Sequence, residues 1–381
     1  MNRQRLVWFW QRIVSPHMAG LAAALARQGC QVVYVANEIM SADRAQQGWT
    51  MPDLGDARLE LAATAHEVVA LVKTAPPHSI HICQGLRGNG LVGKAQRGLA
   101  GRGLRHWVVM ETVDDHGWQG LLKRLEYWRL YSQWAKRLEG VLAIGHQTPR
   151  WVAARGMPPE RIYPFAYFLP PMAKLRESAL SVSDPFHWIF VGQFIELKRL
   201  DLLISALAGL NRTDFDLTVI GSGLLEGSWR AAAEAALPGR VHWIGRLPMH
   251  DVLVQLAAAN CLVLPSRYDG WGAVVSEALM TGTPAICSDQ CGAAGVVRAS
   301  GYGGVFQSGQ VKSLADQLLA VLERGRLSSE ARFQLADWAQ CLGADMGVVY
   351  LRQILEHRDG HAARPSVPWE SRMPEVLHAH G

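Results

Sequence analysis

The sequence predicts an α/β protein in which strands and helices alternate along the chain, so that each sheet is parallel. Short, continuous apolar runs have the length and composition of strands buried on both faces of a sheet. The clearest runs lie at residues 6–10, 107–110, 141–144, 188–192 and 261–264. Helical patterns separate these runs, as at residues 18–28 and 249–259. This order of elements is typical of doubly wound sheets with helices on both faces.

Length and composition indicate a folded protein of two or three domains. The chain has 381 residues, of which 49% are hydrophobic and 19% charged, enough to bury sizeable cores. No apolar run reaches the roughly 18 residues of a membrane-spanning helix. Gln11 and Arg12 interrupt the apolar N-terminal run early, so no signal peptide is expected. The six cysteines form no CxxC pair, which predicts reduced thiols in a cytoplasmic protein.

Positive charge is concentrated in the first half of the chain. Residues 1–168 hold 20 Lys plus Arg against 12 Asp plus Glu, whereas residues 169–381 hold 18 against 21. This asymmetry predicts an acidic partner for the first half: an anionic membrane surface, a phosphorylated acceptor or nucleic acid. No RNA-binding module and no zinc-ligand spacing accompany the charge, so we do not expect a nucleic-acid partner.

The first βαβ unit is predicted from a strand at residues 6–10, a helix at 18–28 and a strand at 31–36. It lacks the G-x-G-x-x-G pattern, so dinucleotide binding is not expected. His17, at the entrance of the helix, is either a contact for acceptor or phosphate, or a plain helix-start residue.

A basic, glycine-rich stretch follows a helical pattern at residues 60–73 and a short strand at 79–83. Residues 85–106 contain five basic side chains and no acid. The glycines predict a mobile loop with a broken helix, facing acidic lipid or acceptor. A solvated loop that happens to be basic is the alternative.

Two features follow the strand at residues 107–110. Glu111 falls at its carboxyl end, where α/β folds place functional side chains, and His116 lies in the next loop. Either could stand near a reaction centre or be structural.

Residues 118–140 are the most amphipathic segment and mix aromatic with basic side chains. Residues 85–140 are therefore a candidate peripheral membrane contact, with a helix packed on its own sheet as the alternative for 118–140.

The stretch at residues 260–289 organises the second half of the chain. A buried strand at 261–264 leads into a loop containing Gly270 and Gly272, then a helix at 273–281 and a strand at 285–287. The two glycines allow backbone N–H groups to approach a bound group closely. Because the loop joins the carboxyl end of a strand to the amino end of a helix, it favours an anion such as phosphate.

Two carboxylates bracket this helix, Asp269 in the loop and Glu277 eight residues later. Each can accept two hydrogen bonds, which suits a ribose or sugar diol. With PS, DGWG, EAL and GTP in order around them, they resemble the E-x7-E motif of retaining glycosyltransferases of family 4, with Asp269 in place of the first Glu. The resemblance implies that Asp269 touches the donor sugar and Glu277 the nucleotide ribose. The alternative is a helix N-cap and a solvated helix charge.

Residues 192–198 resemble a signature of the family in which a Gly-Arg pair is followed within the same loop by a Lys, and the Arg and Lys bind the donor diphosphate. Lys198 matches the Lys, whereas Gln193 stands where Arg is usual, so Arg199 is a candidate replacement. The resemblance also implies that Glu111 occupies a strand end where the family often has a His near the donor sugar. Further donor contacts are expected along the second half: Gly221, Gly223, Arg246, Gly270, Trp271, Gly272 and Ala273.

The resemblance implies the GT-B fold, two Rossmann-like doubly wound domains facing across a cleft. We expect an acceptor domain at 1–172, a nucleotide-sugar donor domain at 173–345, a helix at 346–360 packed back on the first domain, and a disordered tail at 361–381. The implied activity is retaining, metal-independent transfer of a sugar from a UDP- or GDP-sugar to a glycan or lipid-linked acceptor in cell-surface polysaccharide assembly. A sugar-nucleotide epimerase and a non-catalytic membrane-surface protein are the alternatives. The expected location is cytoplasmic, with a peripheral contact on the inner face of the membrane.

Overall fold

The computed structural model describes residues 5–40, 51–115, 117–172 and 185–370. The chain divides into two compact units. Unit 1 comprises Met1–Pro171 and Gly343–Val367, and unit 2 comprises Met172–Leu342 and Pro368–Gly381. Each unit is built on one parallel sheet, and the first change of unit lies one residue before the end of the domain predicted at 1–172.

Unit 1 contains a seven-stranded parallel sheet in the order β3-β2-β1-β4-β5-β6-β7. The strand order reverses between β1 and β4, so their carboxyl ends flank a topological switch point, where open α/β sheets place their ligands. The strands are β1 (Leu6–Ile13), β2 (Gln31–Glu38), β3 (Arg58–Leu61), β4 (Ile80–Gln84), β5 (Arg105–Glu111), β6 (Gly140–Ile144) and β7 (Ile162–Phe165).

The first five helices all belong to unit 1: α1 (Pro16–Arg27), α2 (Ala65–Thr74), α3 (Leu91–Gly101), α4 (Gly117–Trp134) and α5 (Thr148–Ala153). Pro16 starts α1 in the first turn, where a backbone N–H has no acceptor within the helix, so the missing N–H of proline costs no hydrogen bond. A capping box between Thr64 and Glu67 starts α2, because each side chain bonds the other's backbone N–H.

The mobile loop with a broken helix predicted for residues 85–106 is wrong, since half of that stretch, Leu91–Gly101, is the regular helix α3. Its glycines serve packing rather than flexibility. A Cβ on Gly98 would lie 2.9 Å from Cγ1 of Val72 on α2, and one on Gly93 would lie 2.8 Å from Oδ1 of Asn89. Small residues at these two positions therefore let α3 pack closely against its neighbours.

Two short strands of unit 1 were not predicted, β3 and β7, and both are edge strands. The helical pattern expected from residue 60 overlaps the end of β3, and β7 contains Pro164. An edge strand tolerates proline, because one side of it has no partner for the missing N–H. The carbonyl of Pro164 instead accepts a hydrogen bond from the hydroxyl of Tyr350, at 3.0 Å.

The amphipathic segment at 118–140 forms α4, but its apolar side chains divide between two faces. Tyr127, Tyr131 and Trp134 are buried on the sheet, whereas Leu121 and Leu125 are exposed. Packing on the sheet thus accounts for the aromatic face only. Neither α4 nor any other helix in the described ranges is long and apolar enough to cross a membrane.

Unit 2 contains a six-stranded parallel sheet in the order β10-β9-β8-β11-β12-β13, with the switch point between β8 and β11. Its strands are β8 (Phe186–Val191), β9 (Phe215–Ile220), β10 (Val241–Gly245), β11 (Cys261–Leu264), β12 (Ala285–Ser288) and β13 (Gly303–Phe306). Its helices are α6 (Leu200–Ala208), α7 (Glu226–Ala236), α8 (Met249–Ala258), α9 (Ala273–Met280), α10 (Ala294–Ser300), α11 (Val311–Arg324) and α12 (Ser329–Trp338).

The glycine-rich stretch at 292–304 contains α10 and the start of β13. Gly303 has φ +86, and a Cβ there would lie 1.9 Å from the carbonyl oxygen of Ala285 on β12. Glycine is therefore required by the close approach of two strands, and it does not signal a loop.

After unit 2 the chain returns to unit 1 as α13 (Ala344–Arg358), where we predicted a helix at 346–360 packed on the first domain. The guanidinium of Arg27 on α1 pairs with Asp345, and Arg352 donates to the carbonyl of Gln28 at 2.8 Å. Gly347 lies against the ring of Phe168. These contacts fix α13 along α1.

The disordered tail predicted from residue 361 is wrong for residues 361–370; the remainder, 371–381, lies outside the described residues. Val367 and Trp369 are 7% and 8% exposed. The ring centroid of Trp369 lies 6.5 Å from that of Trp271 in unit 2. Burial of two large apolar side chains orders a segment whose proline content suggested disorder.

We predict that Gly347→Val lowers the stability of unit 1 by about 1–3 kcal/mol, because a Cβ at this position would lie 2.5 Å from Cγ of Phe168. Thermal unfolding followed by circular dichroism measures the change. Val349→Leu, at an exposed position of the same helix, is the matched control and leaves the unfolding temperature nearly unchanged. Equal unfolding temperatures for the two variants would contradict this packing.

Candidate functional site

The carboxyl ends of β8 and β11 are neighbours at the switch point of unit 2, and each continues into one of the loops singled out from the sequence. The two loops are joined by the backbone, since the N–H of Arg267 donates to the carbonyl of Leu197 at 2.8 Å. This contact brings Lys198 beside Asp269, although they are 71 residues apart in the chain.

Lys198 and Asp269 form a partly buried ion pair. Nζ of Lys198 lies 2.6 Å from Oδ2 of Asp269, and the two side chains are 21% and 15% exposed. The interaction is stronger than a fully solvated pair because less water screens it. The pair places one cation and one hydrogen-bond acceptor together at the carboxyl edge of the sheet.

The amino end of α9 follows directly. Gly272 precedes the helix with φ +84, a left-handed conformation that favours glycine. A Cβ at this position would also lie 2.7 Å from Sγ of Cys291. No side chain caps the helix and its first turn holds no acid, so the positive end of the helix dipole is not neutralised from within α9.

Glu277 lies in the second turn of α9 and is buried, 8% exposed. Burial raises the pKa of its carboxyl to about 7. Among the described residues, no hydrogen bond or ion pair to this carboxylate is found, so the loss of hydration is uncompensated. A carboxylate in this state gains from any ligand that supplies hydroxyl donors.

Backbone hydrogen bonds hold the loop at 269–272 against the segment that follows β12. The N–H of Asp269 donates to Gln290 at 3.1 Å, that of Gly292 to Asp269 at 2.9 Å, and that of Ala293 to Trp271 at 2.8 Å. A Cβ on Gly292 would lie 2.0 Å from the carbonyl oxygen of Gly270. The loop is thus held rigid by its own backbone.

Trp271 was expected to contact the donor, but its side chain is directed into the protein. It is 2% exposed, and its Nε1 donates to Oγ of Ser276 at 3.0 Å. Cys291 adds a hydrogen bond from Sγ to the carbonyl of Trp271, at 3.1 Å. The indole therefore anchors the loop. The supporting residues Ser276, Cys291 and Trp369 were missed, because only tertiary contacts reveal them.

A second group of predicted residues lies at the loop after β8. A Cβ on Gly221 would lie 1.9 Å from the carbonyl oxygen of Gly192, and one on Gly223 would lie 2.6 Å from that of Phe194. Arg246 donates from Nε to Oγ of Ser222 in the same turn. The glycine turn and Arg246 are thus gathered beside the exposed Gln193.

Arg199, the candidate replacement for the missing arginine, is engaged elsewhere. It adopts a left-handed conformation with φ 52 immediately before α6. Its guanidinium pairs with Asp201, at 3.1 Å from Nε and 3.0 Å from Nη2. Of the cations predicted here, Lys198 alone is found paired with Asp269 in the part of the chain that the structure describes.

In unit 1 the predicted residues lie at the carboxyl edge of the sheet. Glu111 is the last residue of β5 and pairs in register with Ile144 of β6. His17 is the second residue of α1, and its ring stacks on Tyr167 with centroids 4.6 Å apart. His116 lies outside the described residues. His146, which follows β6, lies at the same edge and was not selected from the sequence.

The described residues contain no group of three or more His, Cys, Asp or Glu side chains arranged to hold a metal ion. All six cysteines are buried and free, and none forms a disulfide. The groups identified at the switch point of unit 2 are the Lys198–Asp269 ion pair, the buried carboxyl of Glu277 and the amino end of α9.

Solved structures with a similar fold cover nearly the whole chain. The apo form of the lipopolysaccharide outer core galactosyltransferase WaaB matches with a TM-score of 0.69 and 15% identity, over 93% of this chain and 99% of that one. HepE from Anabaena in complex with UDP matches with a TM-score of 0.68 and 14% identity, over 93% and 100% of the two chains. At these identities the likeness establishes the fold, which is that of these two-domain glycosyltransferases.

Sequence comparison finds a family match in the second half of the chain. The D-rhamnosyltransferase WbpZ of Pseudomonas aeruginosa is 33% identical over 107 residues, which is 28% of this chain and 27% of that protein. The chain thus matches only about a quarter of the length of this curated relative. Residues 172–335 match the family described as glycosyl transferases group 1. The matched segment lies within the Met172–Leu342 part of unit 2, so it is unit 2 of this chain that is similar to that family.

Proposed function

We propose that this protein is a retaining, metal-independent glycosyltransferase that moves a sugar from a nucleotide-sugar donor to a glycan or lipid-linked acceptor. The observation that carries the proposal is that a desolvated Glu277 and the Lys198–Asp269 ion pair both lie around the same switch point. An enzyme that must bind a ribose diol and a diphosphate together needs both features.

Each group has a distinct role in the proposed reaction. The diphosphate gains negative charge as the glycosidic bond breaks, and Lys198 together with the amino end of α9 stabilises that charge. Asp269 orients the donor sugar, while Glu277 accepts hydrogen bonds from the ribose hydroxyls. The acceptor hydroxyl then attacks the anomeric carbon from the face that the diphosphate leaves, and its proton passes to the departing diphosphate oxygen, so no enzyme nucleophile is required.

The donor is proposed to be a UDP- or GDP-sugar. HepE was solved in complex with UDP and also with UDP-glucose, and its fold is the one seen here. WaaB acts on the outer core of lipopolysaccharide and WbpZ transfers D-rhamnose. These relatives support an acceptor in cell-surface polysaccharide assembly for this protein as well.

A sugar-nucleotide epimerase is the second candidate, because it would bind the same nucleoside diphosphate. It needs acid and base groups at the sugar and no acceptor. Incubation with a radiolabelled donor separates the two: transfer to an acceptor supports the proposal, whereas conversion of the donor sugar without acceptor contradicts it.

Lys198→Met is expected to lower kcat/KM for sugar transfer by about 100-fold or more, because it removes the cation that stabilises the leaving diphosphate. Steady-state kinetics with a panel of UDP- and GDP-sugars measures the loss. Lys312→Met, which breaks an exposed ion pair with Asp316 in the same unit, is the matched control and retains activity.

The double variant Lys198→Met/Asp269→Asn separates charge balance from catalysis. It removes both members of the ion pair and so leaves no unpaired carboxylate at position 269. If the pair served only to stabilise the fold, the double variant would recover activity. Under the proposed mechanism it stays as inactive as Lys198→Met.

Glu277→Gln is expected to stabilise the free protein at about pH 8 and to weaken donor binding. Because the pKa of Glu277 is raised to about 7 in the folded state, the wild type loses stability as pH rises from about 4.5 through about 7. The loss amounts to on the order of 3 kcal/mol above that window. The neutral Gln removes it.

Thermal unfolding of wild type and Glu277→Gln at about pH 5 and about pH 8 measures this difference. At the lower pH Glu277 is neutral in the folded protein, so the difference in stability between the two proteins is much smaller than at about pH 8. Glu234→Gln, at an exposed position on α7, is the control and shows no such pH dependence. Identical curves for wild type and Glu277→Gln at both pH values would remove the basis for a ribose-binding carboxylate.

A further inference from the structure

Helix α4 presents a row of large apolar side chains that nothing in the described residues covers. We call this row the α4 face, and it consists of Trp118 (72% exposed), Leu121 (62%), Leu122 (63%), Leu125 (47%) and Trp128 (53%). Spacings of three and four residues put all five on one side of the helix. Soluble surfaces rarely expose so many adjoining large apolar groups without a partner.

The α4 face is held in place from behind. Tyr127, Tyr131 and Trp134 on the opposite side are buried in the core of unit 1. The hydroxyl of Tyr131 donates to Sδ of Met110 at 2.7 Å, and Nε of Arg87 lies 2.6 Å from Glu126. The exposed side chains therefore cannot be buried by a rotation of α4 unless this packing is lost.

Positive charge surrounds the α4 face. Residues 117–137 contain five basic side chains and a single acid, Glu126, which is already paired with Arg87. On the flank towards α3, Arg97 and Arg137 line a cavity of about 310 Å³. Both arginines are exposed, so their guanidinium groups are open to an anionic group from solvent.

The positive charge around the α4 face indicates which kind of partner binds there. Two copies of the chain meeting through the α4 face would bring two sets of like charges together, which opposes self-association. An acidic layer beside an apolar one complements the surface instead. A leaflet that contains anionic phospholipid has both, because acyl chains lie directly beneath charged headgroups.

We propose that the α4 face docks on an anionic lipid bilayer, with α4 lying in the plane of the interface. From Trp118 to Trp128 the helix rises about 15 Å, and the leucines between them would enter the acyl boundary. Tryptophan favours the headgroup level, where its ring is buried and its N–H stays wet. The sequence pointed to residues 85–140 as a whole; the structure narrows the apolar contact to five side chains.

Vesicle flotation tests this proposal without any use of sugar transfer, so its failure would leave the proposed enzymatic activity untouched. The full chain is mixed with vesicles of phosphatidylcholine alone or of phosphatidylcholine with phosphatidylglycerol. We expect binding to the mixed vesicles, weak binding to the neutral ones, and a loss of binding at high salt, because the basic flank is screened.

Leu121→Gln/Leu125→Gln is expected to weaken binding to the mixed vesicles about 10-fold or more, because two leucines no longer enter the acyl region. Arg129→Gln/Lys136→Gln is expected to reduce the preference for anionic vesicles while leaving circular dichroism unchanged. Leu224→Gln/Phe333→Gln, which changes two exposed apolar residues of unit 2, is the matched control and binds like wild type.

Two results would overturn the proposal. In one, the wild type stays unbound by mixed vesicles at low salt. In the other, Leu121→Gln/Leu125→Gln binds as the wild type does. A concentration-dependent dimer that the same substitutions dissolve, with no vesicle binding, would assign the α4 face to a second copy of the chain instead.

Discussion

The close backbone contact between the loop at 269–272 and the segment at 290–293 is the constraint on which the candidate site of unit 2 depends. Three hydrogen bonds join the two stretches, and Gly272 and Gly292 stand where a Cβ would collide with its neighbours. Because both stretches follow neighbouring strands, β11 and β12, the contact also fixes where α9 begins. A side chain at either glycine would displace the loop, and with it the amino end of the helix.

The fixed start of α9 determines where the charged groups lie. Glu277 lies in the second turn of α9, inside the protein, so its carboxyl loses hydration and the pKa rises. Asp269 precedes the helix and is held by the same backbone contacts, which allows a single lysine from another loop to meet it. Burial of an acid without a protein partner reduces the stability of the free protein, and such a site is expected where a ligand supplies the missing hydrogen bonds.

The distinctive feature of unit 1 lies on its surface, and it is the exposed α4 face. Helix α4 covers the sheet with the side that carries Tyr127, Tyr131 and Trp134, and it leaves the α4 face to solvent. A helix that served the core alone would need only one apolar face. The second apolar face, bordered by arginine and lysine, is therefore best explained by a partner that is apolar and acidic at once. The proposed catalysis by unit 2 and the proposed docking by unit 1 are separate properties and can fail separately.

The sequence by itself determined the two parallel sheets, the loop after β11, and the pair Asp269 and Glu277, because buried strands, glycine turns and helix stops leave local patterns. It could not show that Trp271 faces inward or that Arg199 is bound by Asp201, since these depend on which side chains meet after folding. The glycines of α3 were misread as flexibility, because a glycine required by close packing and one required by a loop look alike in the chain. The division of α4 into a buried and an exposed apolar face was likewise decided only by the tertiary structure. Periodicity shows that a helix has apolar residues, but the sheet beneath determines which of them are covered.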